Sequence, residues 1–339
     1  ARAGPHTRSS AHRRMIRLRR LLGLGAALAL AACAAVGSAQ RPILPAEDGW
    51  TPQVIQTRAV SLGLPGGAEL APGVRFMGGL QISAPPGSPI HSLSDLKRVG
   101  ERGLVSVSDV GDLVRAELRL DGSGRLIGLE GMRSRRLPGL DGLPITDKAA
   151  GDAEGLLLTD DGDLLVSFER DHRIWSYGPL ARPASRPIPM RRPDAAFEGN
   201  AGMEGLASTP GGGWRGAGEG GGVWDCDPSA CRTVQAPPAT PLPDSAFRIT
   251  ALDRDPSGDG WFVVQRLYRA PIDMRAQVRR MAPDGGLGPV LISLKLPGTT
   301  DNFEGVSAER LNGRTRLYIL SDDNFNPAQR TLLLGFDVD

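Results

Sequence analysis

A short motif returns along this chain at intervals of about fifty residues, and such a period admits few architectures. Ala153-Glu154-Gly155-Leu156 recurs as Met203-Glu204-Gly205-Leu206, as Ile249-Thr250-Ala251-Leu252 and as Phe303-Glu304-Gly305-Val306, in steps of 50, 46 and 54 residues. Met77-Gly78-Gly79-Leu80 reads as an earlier, diverged copy. A repeat of this size is one supersecondary unit that buries its faces only against its neighbours, which predicts a propeller or a solenoid. Inside a unit, Leu156-Leu157-Leu158, Thr159-Asp160-Asp161-Gly162-Asp163 and Leu164-Leu165-Val166-Ser167-Phe168 read as strand, tight turn and strand. The 45 Gly and 28 Pro, with many Asp-Gly turns, favour numerous short strands over long helices. The expected fold is an all-β, six-bladed β-propeller, with five and seven blades as the other counts. Val54 to Phe76 and the final strand, Thr331 to Val338, are expected to build the sixth blade and close the ring.

A second polar residue follows each motif at a steady distance. Glu169 and Glu219 stand 14 residues after Gly155 and Gly205, Gln265 stands 14 after Ala251, and Asp322 stands 17 after Gly305. Asp109 is the counterpart in the first unit. The motif starts an inner strand and the later residue ends its antiparallel partner, so both lie at one edge of a blade. Around a closed ring these carboxylates converge on the mouth of the channel. Gathered like charges cost stability unless a cation joins them. Asp109, Glu154, Glu169, Glu204, Glu219, Glu304, Asp322 and Asp323 offer the hard oxygens that Ca²⁺ prefers, with Asn302 and Asn324 as amide donors. The plainer reading makes each Glu-Gly a turn device, with Gly supplying an unusual dihedral and Glu capping amides. Only His91 and His172 lie beyond the leader, which disfavours transition metals.

The first residues belong to transport rather than to the fold. Residues 1–14 read as a non-native upstream extension, and 15–39 as an export signal with Arg17, Arg19 and Arg20 ahead of an apolar run from Leu21 to Ala32. Leu30-Ala31-Ala32-Cys33 resembles a lipobox, which predicts lipidation of Cys33 and attachment to the bacterial envelope facing the periplasm. Cleavage after Gly37-Ser38-Ala39, giving a secreted protein, is the other reading. Residues 40–72 are expected to be an N-terminal segment or linker, and 73–339 the propeller. Residues 1–39 carry seven Arg and no acid, leaving 33 basic against 38 acidic residues and a net charge of −5 in the remainder. With no basic stripe and 5% aromatics, nucleic acid is excluded as a partner. Cys226 and Cys231, an even pair separated by four residues, suit a hairpin disulfide outside the cytoplasm.

Longer motifs now come into line. Phe76-Met77-Gly78-Gly79-Leu80, Asp152-Ala153-Glu154-Gly155-Leu156, Val166 through Ile174, Asp301-Asn302-Phe303-Glu304-Gly305, Leu320-Ser321-Asp322-Asp323-Asn324-Phe325 and Gln329 through Leu334 occur in an order that resembles the phytase-like family described as having esterase-like activity. The resemblance covers residues 73–339. It implies an exported β-propeller and a hydrolase of phosphoesters or carboxyl esters. The chain departs from that pattern at Gln265-Arg266-Leu267, where Glu-Arg-Arg is expected, and at the glycine-rich Gly211 to Gly218.

The expected activity is metal-dependent ester or phosphoester hydrolysis at the channel mouth by a monomer, with Ca²⁺ lowering the pKa of the attacking water. Glu154, Glu204, Glu304 and Asp322 are the catalytic carboxylates, and His172 is a general base unless it is a plain surface hydrogen-bonding residue. Arg170, Arg266, Arg330 and Asn324 are the groups for a small anionic ester or phosphoester, since guanidinium binds phosphate bidentately. Structural pairing with neighbouring acids is the alternative for each Arg. A non-catalytic ligand-binding propeller and a lactonase-like enzyme are the rival functions. Gly216-Ala217-Gly218-Glu219-Gly220-Gly221 fits a dinucleotide fingerprint only formally, because no helix follows and Glu219 would repel a pyrophosphate. No Gly-x-Ser-x-Gly elbow occurs.

Overall fold

A computed structural model describes Ala1, residues 49–269 and residues 273–339. The leader, Cys33 and the expected boundaries before residue 49 lie outside the described residues.

Alternation along each strand sends successive side chains to opposite faces, so a strand must be covered on both sides. Here each face meets the next blade. The described strands form five sheets, each antiparallel and twisted around a shared axis, and no helix occurs among the described residues. From the axis outwards, blade 1 holds Leu93–Val99, Gly103–Ser108, Asp112–Leu120 and Leu126–Arg136. Blade 2 holds Ala153–Leu158, Asp163–Phe168, Arg173–Pro179 and Ile188–Met190, and blade 3 holds Met203–Ser208, Trp214–Gly218, Val223–Cys226 and Cys231–Gln235. Blade 4 runs through Arg248–Arg254, Trp261–Arg269, Asp273–Met281 and Leu287–Lys295. Blade 5 begins with Asn302–Leu311, Arg314–Asp322 and Thr331–Val338, and is completed by Val74–Ser83 from the other end of the chain. Each inner strand touches the next, and the fifth touches the first, so the ring is closed.

The all-β propeller is therefore the fold, with five blades where six were expected. The segments assigned to a sixth blade belong to the fifth: Thr331 pairs with Ile82 and Val338 with Val74. Met77-Gly78-Gly79-Leu80 accordingly lies on an outer strand and is not an inner-strand repeat. Residues 51–70 also enter the sheets, because Thr51–Pro52, Gln56–Ala59 and Ala68–Leu70 add short edge strands to blades 1, 5 and 4. Gln56–Ala59 is exposed throughout, and Thr51–Pro52 and Ala68–Leu70 are too short for a pattern to mark them as strands.

Five apolar clusters fill the five seams. Leu156 and Val166 pack with Val105 and Val107 between blades 1 and 2, while Leu157 and Leu165 turn the other way to meet Leu206 and Trp214 between blades 2 and 3. In blade 3 the strand pairing sets Cys226 opposite Cys231, and the two form a disulfide with Cα atoms 4.0 Å apart. A loop this short gains about 2 kcal/mol from closure, so the double Cys→Ser protein should lose that amount in urea unfolding and keep its β-sheet dichroism. Collapse of the dichroism would show that the bridge holds more than its hairpin.

The glycine of each motif has a packing reason. A β-carbon on Gly155 would lie 2.4 Å from Ser167 Oγ and 2.9 Å from the Glu204 carbonyl, and one on Gly205 would lie 2.7 Å from Leu252 Cγ. Neither residue takes a left-handed φ, so close approach of the next inner strand, not an unusual dihedral, requires Gly here.

Candidate functional site at the mouth of the channel

At the start of every inner strand the register slips by one residue, leaving Ser94, Glu154, Glu204, Thr250 and Glu304 as the bulged residues of blades 1 to 5. A bulge re-aims a side chain, and repeating it five times gathers five side chains at one end of the axis. The next strand of each blade reaches the same edge at Asp109, Glu169, Glu219, Gln265 and Asp322, running on to Arg269 in blade 4. Asp95 occupies the position that Gly holds in blades 2, 3 and 5, and it stands 14 residues before Asp109. That offset, shared with Gly155 and Glu169, was the sequence signal for the true first repeat.

The mouth divides into two halves. In one, carboxylate oxygens of Asp152, Glu154 and Glu169 lie within 4.8 Å of one another. Arg170 donates from Nε to Asp152, and Lys148 donates to the Asp109 carbonyl at 2.8 Å, to the Asp109 carboxylate at 3.1 Å and to Asp152. Glu169 accepts the Gly202 amide at 3.1 Å. In the other half, the Arg266 guanidinium donates to Glu219 and Glu304, both at 2.8 Å, and to the Asn302 side-chain oxygen. Asn302 in turn donates to Glu304 at 2.7 Å. Arg266 thus occupies blade 4, one of the two blades whose motif lacks a glutamate.

Burial raises the carboxyls first, and mutual repulsion raises them further. Glu154 sits well above the carboxylate range through burial and the charges of Glu204, Glu304 and Asp109. Glu204 is raised by burial, Glu219, Glu304 and Glu169, and Asp322 by burial, Glu304 and Asp109. Glu304 is raised by burial although Arg266 and Asn302 pull it down. Glu169 is pushed up to about 7 by burial with Asp152 and Glu219, against the pull of the Gly202 amide and Arg170. The folded chain therefore keeps a proton on Glu169 that the unfolded chain releases above its ordinary value of 4.5. This group favours folding fully below that value, and the benefit is lost as pH rises through 7. In chelator, the melting temperature of the wild type relative to Glu169→Gln should fall between about pH 5 and pH 8, and a constant difference would contradict the assignment.

Other expected site residues stand elsewhere. Asp323 turns away from the mouth: it accepts His91 at 2.7 Å, Thr331 at 3.0 Å and the amides of Ser92 and Phe325 at 3.0 and 3.1 Å, so both oxygens serve as a clamp. These hydrogen bonds hold it below its ordinary value despite burial. Asn324 is exposed on a left-handed turn, and it is its amide that reaches Asp322, at 2.6 Å. Arg330 is tied to Asp301 at 3.0 Å and to the Thr300 carbonyl at 2.8 Å. His172 lies at the rim against Phe197, bonded to the Glu198 carbonyl at 3.0 Å, and burial lowers its pKa. Sequence reasoning missed Lys148 and Asp152. Lys148 lies in a loop between blades without periodicity, whereas Asp152 stands two residues before Glu154 as Asn302 does before Glu304.

The sequence profile of the phytase-like family, described as esterase-like activity of phytase, matches residues 88–325, more than half of the chain. The chain belongs to the phytase-like family. This phytase-like propeller is similar to a candidate gluconolactonase at 14% identity over 88% of this chain and 99% of the other, with a TM-score of 0.44. It is also similar to the calcium-binding protein regucalcin from Agrobacterium tumefaciens, 14% identical over 85% and 92% with a TM-score of 0.42. A third is the aldose sugar dehydrogenase of Streptomyces coelicolor, 11% identical over 85% and 99% with a TM-score of 0.41. Identities and scores this low carry no inference about substrate or metal. No curated protein matches the chain.

Proposed function

We propose that this phytase-like propeller hydrolyses esters at its acidic mouth with Ca²⁺ as cofactor. The observation that carries this reading is the trio Asp152, Glu154 and Glu169, whose oxygens lie within 4.8 Å of one another. Ligands at 2.3–2.6 Å from a common ion span about that distance, and hard carboxylate oxygens suit Ca²⁺, so the residues fit the group. When bound, the ion supplies Lewis acidity toward a substrate oxygen and a more acidic water.

The chain's own residues do the rest. Arg170 and Lys148 fix Asp152, and the Gly202 amide fixes Glu169, so two of the three are held in place before substrate arrives. Glu204, buried beside them with its pKa raised, holds a proton that it can deliver to the departing alkoxide oxygen. The Cys226–Cys231 bridge supports work in an oxidising compartment outside the cytoplasm. Calorimetric titration of chelator-treated protein should reveal one Ca²⁺ site per chain, and p-nitrophenyl butyrate turnover should disappear with chelator and return with the ion. A protein indifferent to chelator in both measurements ends the metal-dependent reading.

A further inference from the structure

We infer that the mouth selects uncharged carboxyl esters, open-chain or lactone, and turns phosphate monoesters away, because its cationic side chains are already engaged by the protein's own carboxylates. The inference rests on the ester-hydrolase reading above and narrows its substrate class.

A phosphoryl group is recognised by guanidinium or ammonium donors directed at its oxygens, most effectively as a bidentate fork. At this mouth the fork of Arg266 is occupied at both ends, and the exposed Arg170 already gives its Nε to a carboxylate. Arg266 places one terminal nitrogen on Glu219 and the other on Glu304, both at 2.8 Å, in a half-buried setting. Arg170 and Lys148 converge on Asp152, with Lys148 also on Asp109. Arg173 lies over the Phe168 and Trp175 rings, its guanidinium carbon 4.0 and 4.1 Å from their centroids. Away from the mouth, Arg330 is bound in the same manner, to Asp301 and the Thr300 carbonyl.

A phosphate that captured Arg266 would strip two charged hydrogen bonds from it and leave Glu219 and Glu304 without their counter-ion in a buried place, which is the costly way to break such a pair. The phosphate dianion would also face the remaining carboxylates. A carboxyl ester asks for less. Water oxygen bonds to the carbonyl carbon, the carbon–alkoxide bond breaks, and the displaced proton reaches the alkoxide through Glu204, giving acid and alcohol. No step needs a free guanidinium. Arg266 is thus a positioning residue, an internal counter-ion for blades 3 and 5, and not a substrate ligand.

The experiment compares p-nitrophenyl butyrate, δ-valerolactone and p-nitrophenyl phosphate on the calcium-loaded protein, with inorganic phosphate as inhibitor there and as thermal-shift probe on the chelator-treated protein, where no ion can bind it. Butyrate should exceed phosphate ester in kcat/KM by at least about a hundredfold, and inorganic phosphate should neither inhibit nor shift the wild type. Glu219→Gln releases one arm of Arg266 and should bind inorganic phosphate about tenfold more tightly than the wild type. Comparable turnover of the phosphate ester, or equal phosphate binding by wild type and Glu219→Gln, overturns the inference and leaves ester hydrolysis standing. If no ester is turned over, hydrolysis falls and the thermal-shift arm decides alone: phosphate response confined to Glu219→Gln upholds exclusion of anions, and equal response refutes it.

Discussion

Glu154→Gln should lose its calcium response and at least about a hundredfold of ester turnover together, since loss of a Lewis acid removes several kcal/mol of transition-state stabilisation and each 1.4 kcal/mol is a factor of ten. The substitution keeps shape and removes one charge from a trio in which each member supplies an oxygen. It also removes repulsion from Glu204 and Glu304, so the metal-free variant should melt at or above the wild type. A variant that is inactive merely because it is unfolded would melt lower, and calorimetry separates the two. Glu69→Gln, whose carboxylate meets only Lys295 on an edge strand, is the control and should change neither property. If Glu154→Gln kept both turnover and the calcium shift, the trio would be a structural cluster.

Lys97→Met should cost about 3–5 kcal/mol of stability, the penalty for removing one partner of a buried ion pair. Lys97 lies inside the channel, donating to Asp95 at 2.7 Å, to the Leu252 carbonyl at 3.0 Å and to the Val306 carbonyl at 3.1 Å. Asp95 accepts the amides of Leu156 at 3.0 Å and Val306 at 3.3 Å. Two side chains of blade 1 thereby bind the inner strands of blades 2, 4 and 5. Asp95 is pushed up to about 7 by burial even with Lys97 beside it, so it takes a proton once the ammonium is gone. Asp95→Asn combined with Lys97→Met should recover part of the loss. Urea unfolding of the three variants tests this, and a cost below about 1 kcal/mol for Lys97→Met would show that the pair is dispensable.

The propeller and the convergence of Glu154, Glu204 and Glu304 were legible because a period near fifty residues and a constant offset to Glu169 and Glu219 are local properties of the chain. Blade number was not, because Val74–Ser83 meets Thr331–Val338 across most of the chain, and no local pattern announces that pairing. The first inner strand was hidden for a different reason: Ser94-Asp95 replaces Glu-Gly, and the substitution serves the Lys97 pair at the axis. Side-chain roles were least legible. Arg170, Arg266 and Arg330 sit near acids in both views, but only the positions of Asp152, Glu219, Glu304 and Asp301 show which partner each one has.

The pairing that completes blade 5 also sets when the protein can fold during synthesis. Val74–Ser83 is made early, yet its partner Thr331–Val338 follows only after the inner strands of all five blades. Until that strand leaves the ribosome, Leu80 and Ile82 have nothing to cover them on the blade 5 side, and the first and fifth inner strands cannot meet. Contacts so distant in sequence make folding slow and hold back closure of the ring until Thr331–Val338 has been made. A product cut short by even the final strand is an open arc with an apolar edge, suited to quality-control proteolysis and not to partial function.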